Sequence, residues 1–419
     1  MKHVIVGNGP AGVAAARTLR KLAPRDEVVV IAEETQPFYS KVLTSYFVGG
    51  KVPYENMLLA NDEEFQKAGV QLLTGSQAVR IDAAAKTVSL SGGNKIGYDR
   101  LLIAAGAAPF VPPIEGARAY GNTPLPGVFT LWTHDDAVGL REWVQEGQKA
   151  VVIGGGLVGL KAAEAFMVRG MTVTVVELLD RILPQVLLKE DAGIVQKALE
   201  QRGLAVRTGT AVVQISGDGK VQQVTLGDGT LLPCDLVVIA TGVRPNLALA
   251  KSAGIAIGRG ILVDEYLRTS ARDIYAAGDV AESWDLARGR QLPNPTWGNA
   301  SEQGRVAAHN MAGQTKPFNG AVTVNTFTFL GFRMAAVGIT QPEGDFSQVE
   351  SCVDPRTGDY RKLIKLGDRL LGGIAIGDVR MAGIWRGLIA KKGPDAPAAS
   401  AHLGDKTNFA WTHHLGLGS

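Results

Sequence analysis

Hydrophobic and polar positions repeat one arrangement twice along the chain. A short β-rich run at residues 2–6 predicts a strand. The glycine-interrupted residues 7–12 and the alanine-rich stretch behind them predict a turn and a helix, and residues 27–31 predict a second strand. The arrangement returns at residues 150–153, followed by a glycine-interrupted turn, a helix and a strand at residues 172–176. The chain is therefore predicted to contain two βαβ units of the nucleotide-binding kind.

A further strand is predicted to close each unit. Residues 101–106 and 236–242 are both apolar runs that end at a glycine. The proline-rich residues 109–113 mark a crossing into an inserted domain, and the return crossing is placed near Pro233. We thus predict a first domain of residues 1–110 and 234–320, interrupted by a second domain of residues 111–233.

A different pattern begins near residue 322. Alternating apolar runs at residues 322–329, 361–366 and 370–376 predict a third, α+β domain over residues 321–391. Residues 392–419 are rich in alanine, proline and glycine, so they predict either a fraying tail or a docking arm. The residues of this tail that could anchor a partner are Phe409, Ala410, Trp411, His413 and His414.

Composition narrows the class of protein. Hydrophobic residues make up 46% of the 419 residues and charged residues 20%, which is typical of a globular chain. The net charge of +3 and the lack of basic runs interleaved with aromatics argue against nucleic-acid binding. No apolar segment approaches the roughly 18 residues of a membrane span, and the N-terminus lacks a convincing signal peptide, so we expect a cytoplasmic protein. The two cysteines, Cys234 and Cys352, have no metal-ligand spacing, and no metal site is expected.

Each predicted turn carries a Gly-x-Gly-x-x-Gly pattern between a strand and a helix. In that position glycine lets the backbone turn tightly and lets a pyrophosphate approach the first N–H groups of the helix. One such pattern alone is weak, but two in the same context indicate two dinucleotide sites. The candidate binding residues are Gly7, Gly9, Pro10, Ala11 and Gly12 in the first loop, and Gly154, Gly156, Leu157, Val158 and Gly159 in the second.

An acidic residue stands near the end of the second strand in both units, where a ribose hydroxyl needs an acceptor. In the second unit it is Glu177, directly after the strand, and the alternative is an acid at a solvated strand end. In the first unit Ala32 takes the usual position, so either Glu33 or Glu34 could serve. A carboxylate at Glu177 would repel a 2′-phosphate, which favours NAD(H) over NADP(H), although Arg181 could offset it.

A third motif, residues 274–279, ends in Gly278-Asp279. With the two glycine loops, Ala104-Ala105-Gly106 and Thr241-Gly242, it gives five motifs in the order that resembles the two-dinucleotide-binding flavoprotein family of glutathione reductase, rubredoxin and ferredoxin reductases, NADH oxidases and the nitrite reductase flavin module. The resemblance implies an α/β fold with two Rossmann-like domains, the NAD domain inserted in the FAD domain, and a C-terminal α+β interface domain. It also implies FAD and NAD(H) as cofactors, contact of Asp279 with the flavin ribityl chain, and further flavin contacts from Val79 and Trp297.

Two positions depart from that family. Residues 38–41 place Lys41 where the thiol-dependent NADH oxidases have cysteine, so dithiol exchange is not expected. Lys41 could stabilise the reduced flavin ring or bind its N5 edge, or it could be an exposed surface lysine. Lys161 replaces a glutamate that can approach the nicotinamide in many relatives, which leaves Lys161 as a further cofactor candidate and Glu164 as a structural helix residue.

The resemblance implies hydride transfer between NAD(H) and FAD, with electrons passing to or from a separate partner. The partner would be an iron–sulfur protein, a rubredoxin-type protein or a metalloenzyme subunit, and the chain could be the NAD-reducing flavin subunit of an aldehyde oxidoreductase. A cysteine-free NADH oxidase or diaphorase, a nitrite reductase flavin module and a non-catalytic flavin-binding scaffold stay open as alternatives. Both a homodimer and a hetero-oligomer are compatible with the sequence.

Overall fold

The computed structural model describes residues 1–117, 124–342 and 348–391. The strands are β1 Lys2–Val6, β2 Glu27–Ile31, β3 Val70–Leu73, β4 Ala78–Asp82, β5 Thr87–Leu90, β6 Lys95–Gly97, β7 Arg100–Ile103, β8 Ala107–Pro109, β9 Val128–Phe129, β10 Lys149–Ile153, β11 Thr172–Val176, β12 Ala205–Arg207, β13 Val212–Ser216, β14 Gln223–Leu226, β15 Leu231–Pro233, β16 Leu236–Ile239, β17 Val243–Pro245, β18 Ile261–Leu262, β19 Ile274–Ala276, β20 Ala281–Asp285, β21 Arg290–Pro293, β22 Val324–Phe329, β23 Phe332–Gly338, β24 Gln348–Val353, β25 Tyr360–Leu366 and β26 Arg369–Ile376. The helices are α1 Pro10–Leu22, α2 Thr44–Val48, α3 Asp62–Lys67, α4 His134–Trp143, α5 Leu157–Val168, α6 Lys189–Glu200, α7 Ala248–Ser252, α8 Trp297–Met311 and α9 Ala382–Ala390, with 3-10 turns at Lys41–Leu43 and Tyr54–Met57. The predicted tail, with Phe409, Ala410, Trp411, His413 and His414, lies outside the described residues.

The first unit is built on a parallel sheet in the order β19-β7-β1-β2-β3. Every residue of β1 and β2 after the first is buried, which explains the apolar Val-Ile-Val end of β1 and the apolar run of β2. The exception in β1 is the buried His3, which hydrogen-bonds Asp26 at 2.9 Å. Helix α1 begins at Pro10, where proline is tolerated because the first N–H has no partner within the helix. Helix α8 packs against α1 so closely that a Cβ at Gly304 would lie 2.0 Å from the carbonyl oxygen of Ala11.

The second unit has a sheet in the order β12-β11-β10-β16-β9. Strand β16 pairs with β10 in parallel, placing Ile239 beside Ile153. The predicted boundary at residue 233 assigns this strand to the first domain, whereas its hydrogen bonds place it in the second sheet. The chain leaves the first sheet through β8 and returns through β17, and these two crossing strands pair with each other.

The third unit is an antiparallel sheet in the order β22-β23-β26-β25-β24, with α9 packed on it through Trp385. The apolar runs predicted β22, β25 and β26 but not β23 or β24. Most of the β24 side chains are exposed, so that strand has no apolar face to detect. The α/β fold class with two Rossmann-like cores is confirmed, while the other domain boundaries stay predictions.

Candidate functional site

The first glycine loop is shaped by its own backbone at two positions. Gly7 has a φ of +111°, and a Cβ there would lie 2.2 Å from the carbonyl oxygen of Ala104. A Cβ at Gly12 would lie 1.8 Å from the carbonyl oxygen of Gly7. Gly9 differs, because a Cβ there would meet no described atom within 4 Å. The chain itself therefore requires glycine at positions 7 and 12, whereas Gly9 keeps space open in front of α1.

The second loop repeats this geometry. Gly154 has a φ of +109°, and its Cβ would lie 2.4 Å from the carbonyl oxygen of Ala240, while a Cβ at Gly159 would lie 2.0 Å from that of Gly154. Gly156 again faces open space. Neither α1 nor α5 has a side-chain cap at its N-terminus, so the first N–H groups are available to an anion. Both cradles thus fit a dinucleotide pyrophosphate.

The first loop lies among the carboxyl ends of β1, β7 and β19, which are neighbours in the sheet. Ala104, Ala105 and Gly106 follow β7, and the carbonyl oxygens of Ala105 and Gly106 accept hydrogen bonds from Asn246 at 2.7 and 3.0 Å. The N–H of Gly278 donates to Gln303 Oε1 at 2.7 Å. Parallel strands place their following loops at one sheet edge, so these three motifs converge.

Asp279 follows Gly278 at this edge and is half-buried. Among the described residues, none donates a hydrogen bond to its carboxylate. Burial raises the pKa of Asp279 above its ordinary value, and the positive charge of Lys41 opposes that shift. A half-buried carboxylate without a donor fits a ligand that brings hydroxyl groups, as the flavin ribityl chain does.

Lys41 lies in a cluster of polar and aromatic groups. Its Nζ is 2.7 Å from Glu34 Oε1 and 5.5 Å from the centre of the Trp132 ring. Glu34 Oε2 accepts hydrogen bonds from the Tyr39 hydroxyl at 2.5 Å and the His134 backbone N–H at 3.3 Å. Its side chain is 36% exposed, so Lys41 lies at the surface in an ion pair with Glu34, and its contact with the flavin stays a prediction.

The positive charge of Lys41 also affects the protonation state of Glu34. Burial alone would raise the pKa of Glu34, but Lys41 and the hydrogen bonds from Tyr39 and His134 outweigh burial and lower it. Glu34 is therefore a carboxylate committed to Lys41. Of the two acids considered for the ribose, Glu33 is exposed and accepts a hydrogen bond from Gln77 Nε2 at 2.9 Å.

The two further flavin candidates, Trp297 and Val79, lie on different elements of the fold. Trp297 begins α8 and stacks on Phe38 with ring centres 5.7 Å apart. Val79 is 46% exposed and lies on β4, in the small sheet β4-β5-β6. Both assignments stay predictions.

Glu177 is integrated into the second loop. It is only 7% exposed; its Oε2 accepts the Gly155 N–H at 2.7 Å and its Oε1 accepts the Leu179 N–H at 2.9 Å. An acid at a solvated strand end would be exposed, so that alternative does not describe Glu177.

The remaining candidates of the second unit lie in the first turn of α5 and directly after β16. Leu157 and Val158 form the first turn of α5, where Val158 is exposed. The Thr241 hydroxyl donates to the carbonyl oxygen of Phe110 at 2.6 Å, and Gly242, with a φ of +109°, faces open space.

Lys161 lies in a network that motif analysis missed. Its Nζ forms an ion pair with Glu164 and is 3.3 Å from the Tyr46 hydroxyl and 3.1 Å from the carbonyl oxygen of Thr328. Glu164 also accepts the Leu330 N–H at 3.0 Å. The spacing of Lys161 and Glu164 signals their ion pair, but nothing local in the sequence indicates that this pair joins α2, α5 and β22.

The two cysteines, Cys234 and Cys352, lie outside both glycine loops and outside the segment around Lys41. Burial raises the pKa of Cys234 to about 12, so its nucleophilic thiolate is scarce near neutral pH. Cys352 lies on β24, and burial raises its pKa as well. Within the described ranges, no group of three His, Cys, Asp or Glu side chains is arranged to hold a metal ion, and no helix is long and apolar enough to cross a membrane.

Comparison with known proteins identifies the family. Residues 1–304 match the family described as pyridine nucleotide-disulphide oxidoreductase. The chain belongs to this family. FAD and NAD(H) are the cofactors of this pyridine nucleotide-disulphide oxidoreductase, which is an NAD(P)H-dependent flavin enzyme.

Three relatives of this oxidoreductase are informative. It is 32% identical to the NADH-dependent phenylglyoxylate dehydrogenase subunit epsilon of Aromatoleum evansii, over 95% of this chain and 94% of the relative. It is 36% identical to an NADH oxidase of Methanocaldococcus jannaschii, over 76% of this chain and 71% of the relative. Its fold matches putidaredoxin reductase in covalent complex with putidaredoxin, with a TM-score of 0.86, 27% identity and coverage of 93% of both chains.

Proposed function

We propose that this chain passes electrons between NAD(H) and a separate redox protein, using no thiol of its own. When bound, FAD converts the two-electron hydride step into single-electron steps. The observation that carries the proposal is Lys41: the position where thiol-dependent relatives have cysteine holds an ammonium group bound to Glu34 and electrostatically coupled to Asp279.

The first loop would hold FAD. Gly9 leaves room for the pyrophosphate at the N-terminus of α1, and Asp279 would accept hydrogen bonds from the ribityl hydroxyls. Lys41 would supply a fixed positive charge, which favours the negative charge that develops on the ring as it is reduced. Glu34 would hold that ammonium in place rather than bind the ribose, which leaves Glu33 as the ribose candidate.

The second loop would hold NAD(H). Gly156 leaves room for the second pyrophosphate, and Glu177, whose oxygens already accept two backbone N–H groups, keeps lone pairs for the ribose hydroxyls. A negative charge in this position disfavours a 2′-phosphate. The proposed coenzyme is therefore NAD(H).

The relatives support a separate partner. The Aromatoleum relative is by name one subunit of an NADH-dependent dehydrogenase, and the alignment covers nearly all of both chains. The putidaredoxin reductase structure contains a redox partner protein. We accordingly propose a hetero-oligomer in which this chain serves an iron–sulfur protein, a rubredoxin-type protein or a metalloenzyme subunit. An aldehyde oxidoreductase that reduces NAD is one such assembly, and the cytoplasmic location stays a prediction.

One experiment tests the partner. The tagged chain is purified from its host, the metal content of the copurifying proteins is measured, and NADH is added without oxygen. The proposal expects the metal centre to be reduced by NADH only when the FAD-loaded chain is present. A copurifying metal centre that NADH cannot reduce would contradict it, as would a flavin that NADH does not bleach, which is the behaviour of a scaffold.

The Methanocaldococcus relative favours a second candidate, an NADH oxidase. In that case the isolated FAD-loaded chain consumes NADH rapidly in air, and adding a partner does not increase the rate. Slow consumption in air that a partner protein accelerates would exclude the oxidase.

A further inference from the structure

A side chain of the third unit reaches the segment that follows Glu177. Gln341 lies just beyond β23, and its Nε2 is 2.6 Å from the carbonyl oxygen of Pro184 and 2.9 Å from that of Leu187. Both N–H groups of the amide therefore have acceptors, and both acceptors belong to the segment between β11 and α6. We call residues 178–188 the coenzyme-side loop.

The coenzyme-side loop in turn contacts the second glycine loop. The N–H of Leu183 donates to the carbonyl oxygen of Gly155 at 2.8 Å, and the N–H of Gly155 donates to Glu177. Leu183 has a φ of +50° and is 1% exposed. A leucine keeps this left-handed conformation only when its surroundings impose it. Leu183 itself donates to Gly155 and accepts from the N–H groups of Val186 and Leu187. Gln341 holds the adjoining Pro184 carbonyl, so these hydrogen bonds together supply that constraint.

The far end of the coenzyme-side loop is also fixed by the third unit. Asp191, in the first turn of α6, is fully buried; it accepts hydrogen bonds from Lys362 Nζ at 2.8 Å and the Tyr360 hydroxyl at 2.6 Å, both from β25. A buried ion pair contributes little net stability compared with apolar packing, but it fixes geometry. The third unit thus contacts the coenzyme-side loop through Gln341 and anchors the helix that follows it.

We propose that Gln341 is a positioning residue for NAD(H). By holding the carbonyl groups of Pro184 and Leu187, it fixes the coenzyme-side loop, which fixes Gly155 and Glu177 in the arrangement that receives the coenzyme. The proposal rests on the proposed NAD(H) role of the second glycine loop. It makes the third unit part of the coenzyme site although no side chain of that unit is required to touch the coenzyme.

Three substitutions at residue 341 separate hydrogen bonding from packing. Gln341→Glu keeps the size but replaces the donors by a group that repels carbonyl oxygens; Gln341→Ala removes the side chain; Gln341→Lys restores donors at similar length. In the FAD-loaded full chain, with ferricyanide as acceptor, we expect Gln341→Glu and Gln341→Ala to raise the KM for NADH and the Kd for NAD about tenfold. The kcat should change less than about twofold, and Gln341→Lys should recover most of the affinity. An exposed glutamine of the same unit gives the control Gln348→Ala, with no change expected.

A parallel variant, Glu177→Gln, distinguishes two kinds of failure. If Glu177→Gln weakens NAD binding while Gln341→Glu does not, the positioning role is overturned and the proposed coenzyme site stands. If neither changes NAD binding, the proposed coenzyme site fails as well. If Gln341→Glu lowers the melting temperature and FAD content but leaves the KM for NADH unchanged, Gln341 is only structural and the proposal is overturned.

Discussion

The two glycine loops share one backbone design and differ in their acids. In both, the first and third glycines would clash with backbone carbonyl oxygens, at distances between 1.8 and 2.4 Å, while the second faces open space. Directly after the second strand, however, the first unit has Ala32 and the second has Glu177. The shared glycine geometry is what any dinucleotide pyrophosphate requires. The two units differ at the residue after the second strand, where the family fingerprint places the ribose acceptor.

The two acids of the first unit have different environments. Glu34 binds Lys41, and Glu33 is exposed beside Gln77. In the second unit the single acid Glu177 is buried and bound to its own glycine loop. On the proposed roles, the same fold supplies a positive charge beside the flavin ring in the first unit and a ribose acceptor in the second.

The largest expected effect comes from the glycines that the backbone requires. Gly7→Ala and Gly154→Ala would place a Cβ against a carbonyl oxygen at positive φ, so each should lower the free energy of unfolding by about 3 kcal/mol or more. Chemical denaturation of the ligand-free chain measures this. Equal stability of Gly154→Ala and Gly156→Ala would contradict the distinction between these positions.

The next effect separates the two cofactors. Gly9→Ala and Gly156→Ala should fold normally, because a methyl group there meets no described atom, but it would occupy the space of a pyrophosphate. We expect Gly9→Ala to weaken FAD binding and Gly156→Ala to weaken NADH binding, each about tenfold or more. Titration of each variant with both cofactors checks this, and a loss of FAD from Gly156→Ala would mean that the two loops are not independent sites.

A smaller effect concerns coenzyme choice. Glu177→Gln keeps one oxygen to accept the Gly155 N–H, loses the oxygen that accepts the Leu179 N–H and removes the negative charge. The ratio of kcat/KM for NADPH to that for NADH should rise about tenfold, which is about 1.4 kcal/mol, because the ratio cancels losses common to both coenzymes. The matched change in the first unit, Glu33→Gln, should not alter this ratio. An unchanged ratio in Glu177→Gln would show that this carboxylate does not face the ribose.

The smallest expected effect is at Asp279, where a substitution should raise the stability of the ligand-free chain and weaken FAD binding. Burial raises the pKa of Asp279, so its charged form costs stability in the ligand-free chain. Asp279→Asn should therefore gain about 1 kcal/mol of stability at neutral pH while binding FAD more weakly. Because the pKa of Asp279 is raised in the folded chain, the wild type pays this cost only at a pH where Asp279 is charged. Below the pKa of the unfolded chain Asp279 is protonated in both states and the cost disappears. The stability gained by Asp279→Asn should therefore shrink as the pH falls from neutral toward 4. A gain that grows at low pH would contradict this sign.

Local patterns in the sequence were sufficient for much of the fold. The short β-rich runs of β1, β2, β10 and β11 predicted the strands of two βαβ units, and the glycine spacing predicted both turns. The edge strand β24 lacks such a pattern because its side chains are mostly exposed on both faces. The apolar run of β16 predicts a strand that closes the second unit, and its pairing with β10 places it there, whereas the predicted domain boundary at residue 233 separates the strand from that unit.

Side-chain partners were harder to predict than the backbone. The sequence left Glu33 and Glu34 as equal candidates because neighbouring residues point in different directions; only the structure shows Glu34 bound to Lys41. The contacts of Gln341 with Pro184 and of Lys161 with Thr328 join residues more than a hundred positions apart. Such contacts follow from domain packing rather than from local composition.

The most direct test of thiol-free electron transfer is the amount of NADH that reduces the flavin. The FAD-loaded wild type and the variant carrying Cys234→Ala and Cys352→Ala are titrated with NADH without oxygen while flavin absorbance is recorded. Without a redox thiol, we expect complete bleaching at one NADH per FAD in both proteins, because a hydride carries the two electrons that FAD accepts. A wild type that takes up two NADH per FAD, or a cysteine-free variant that is not bleached, would contradict it.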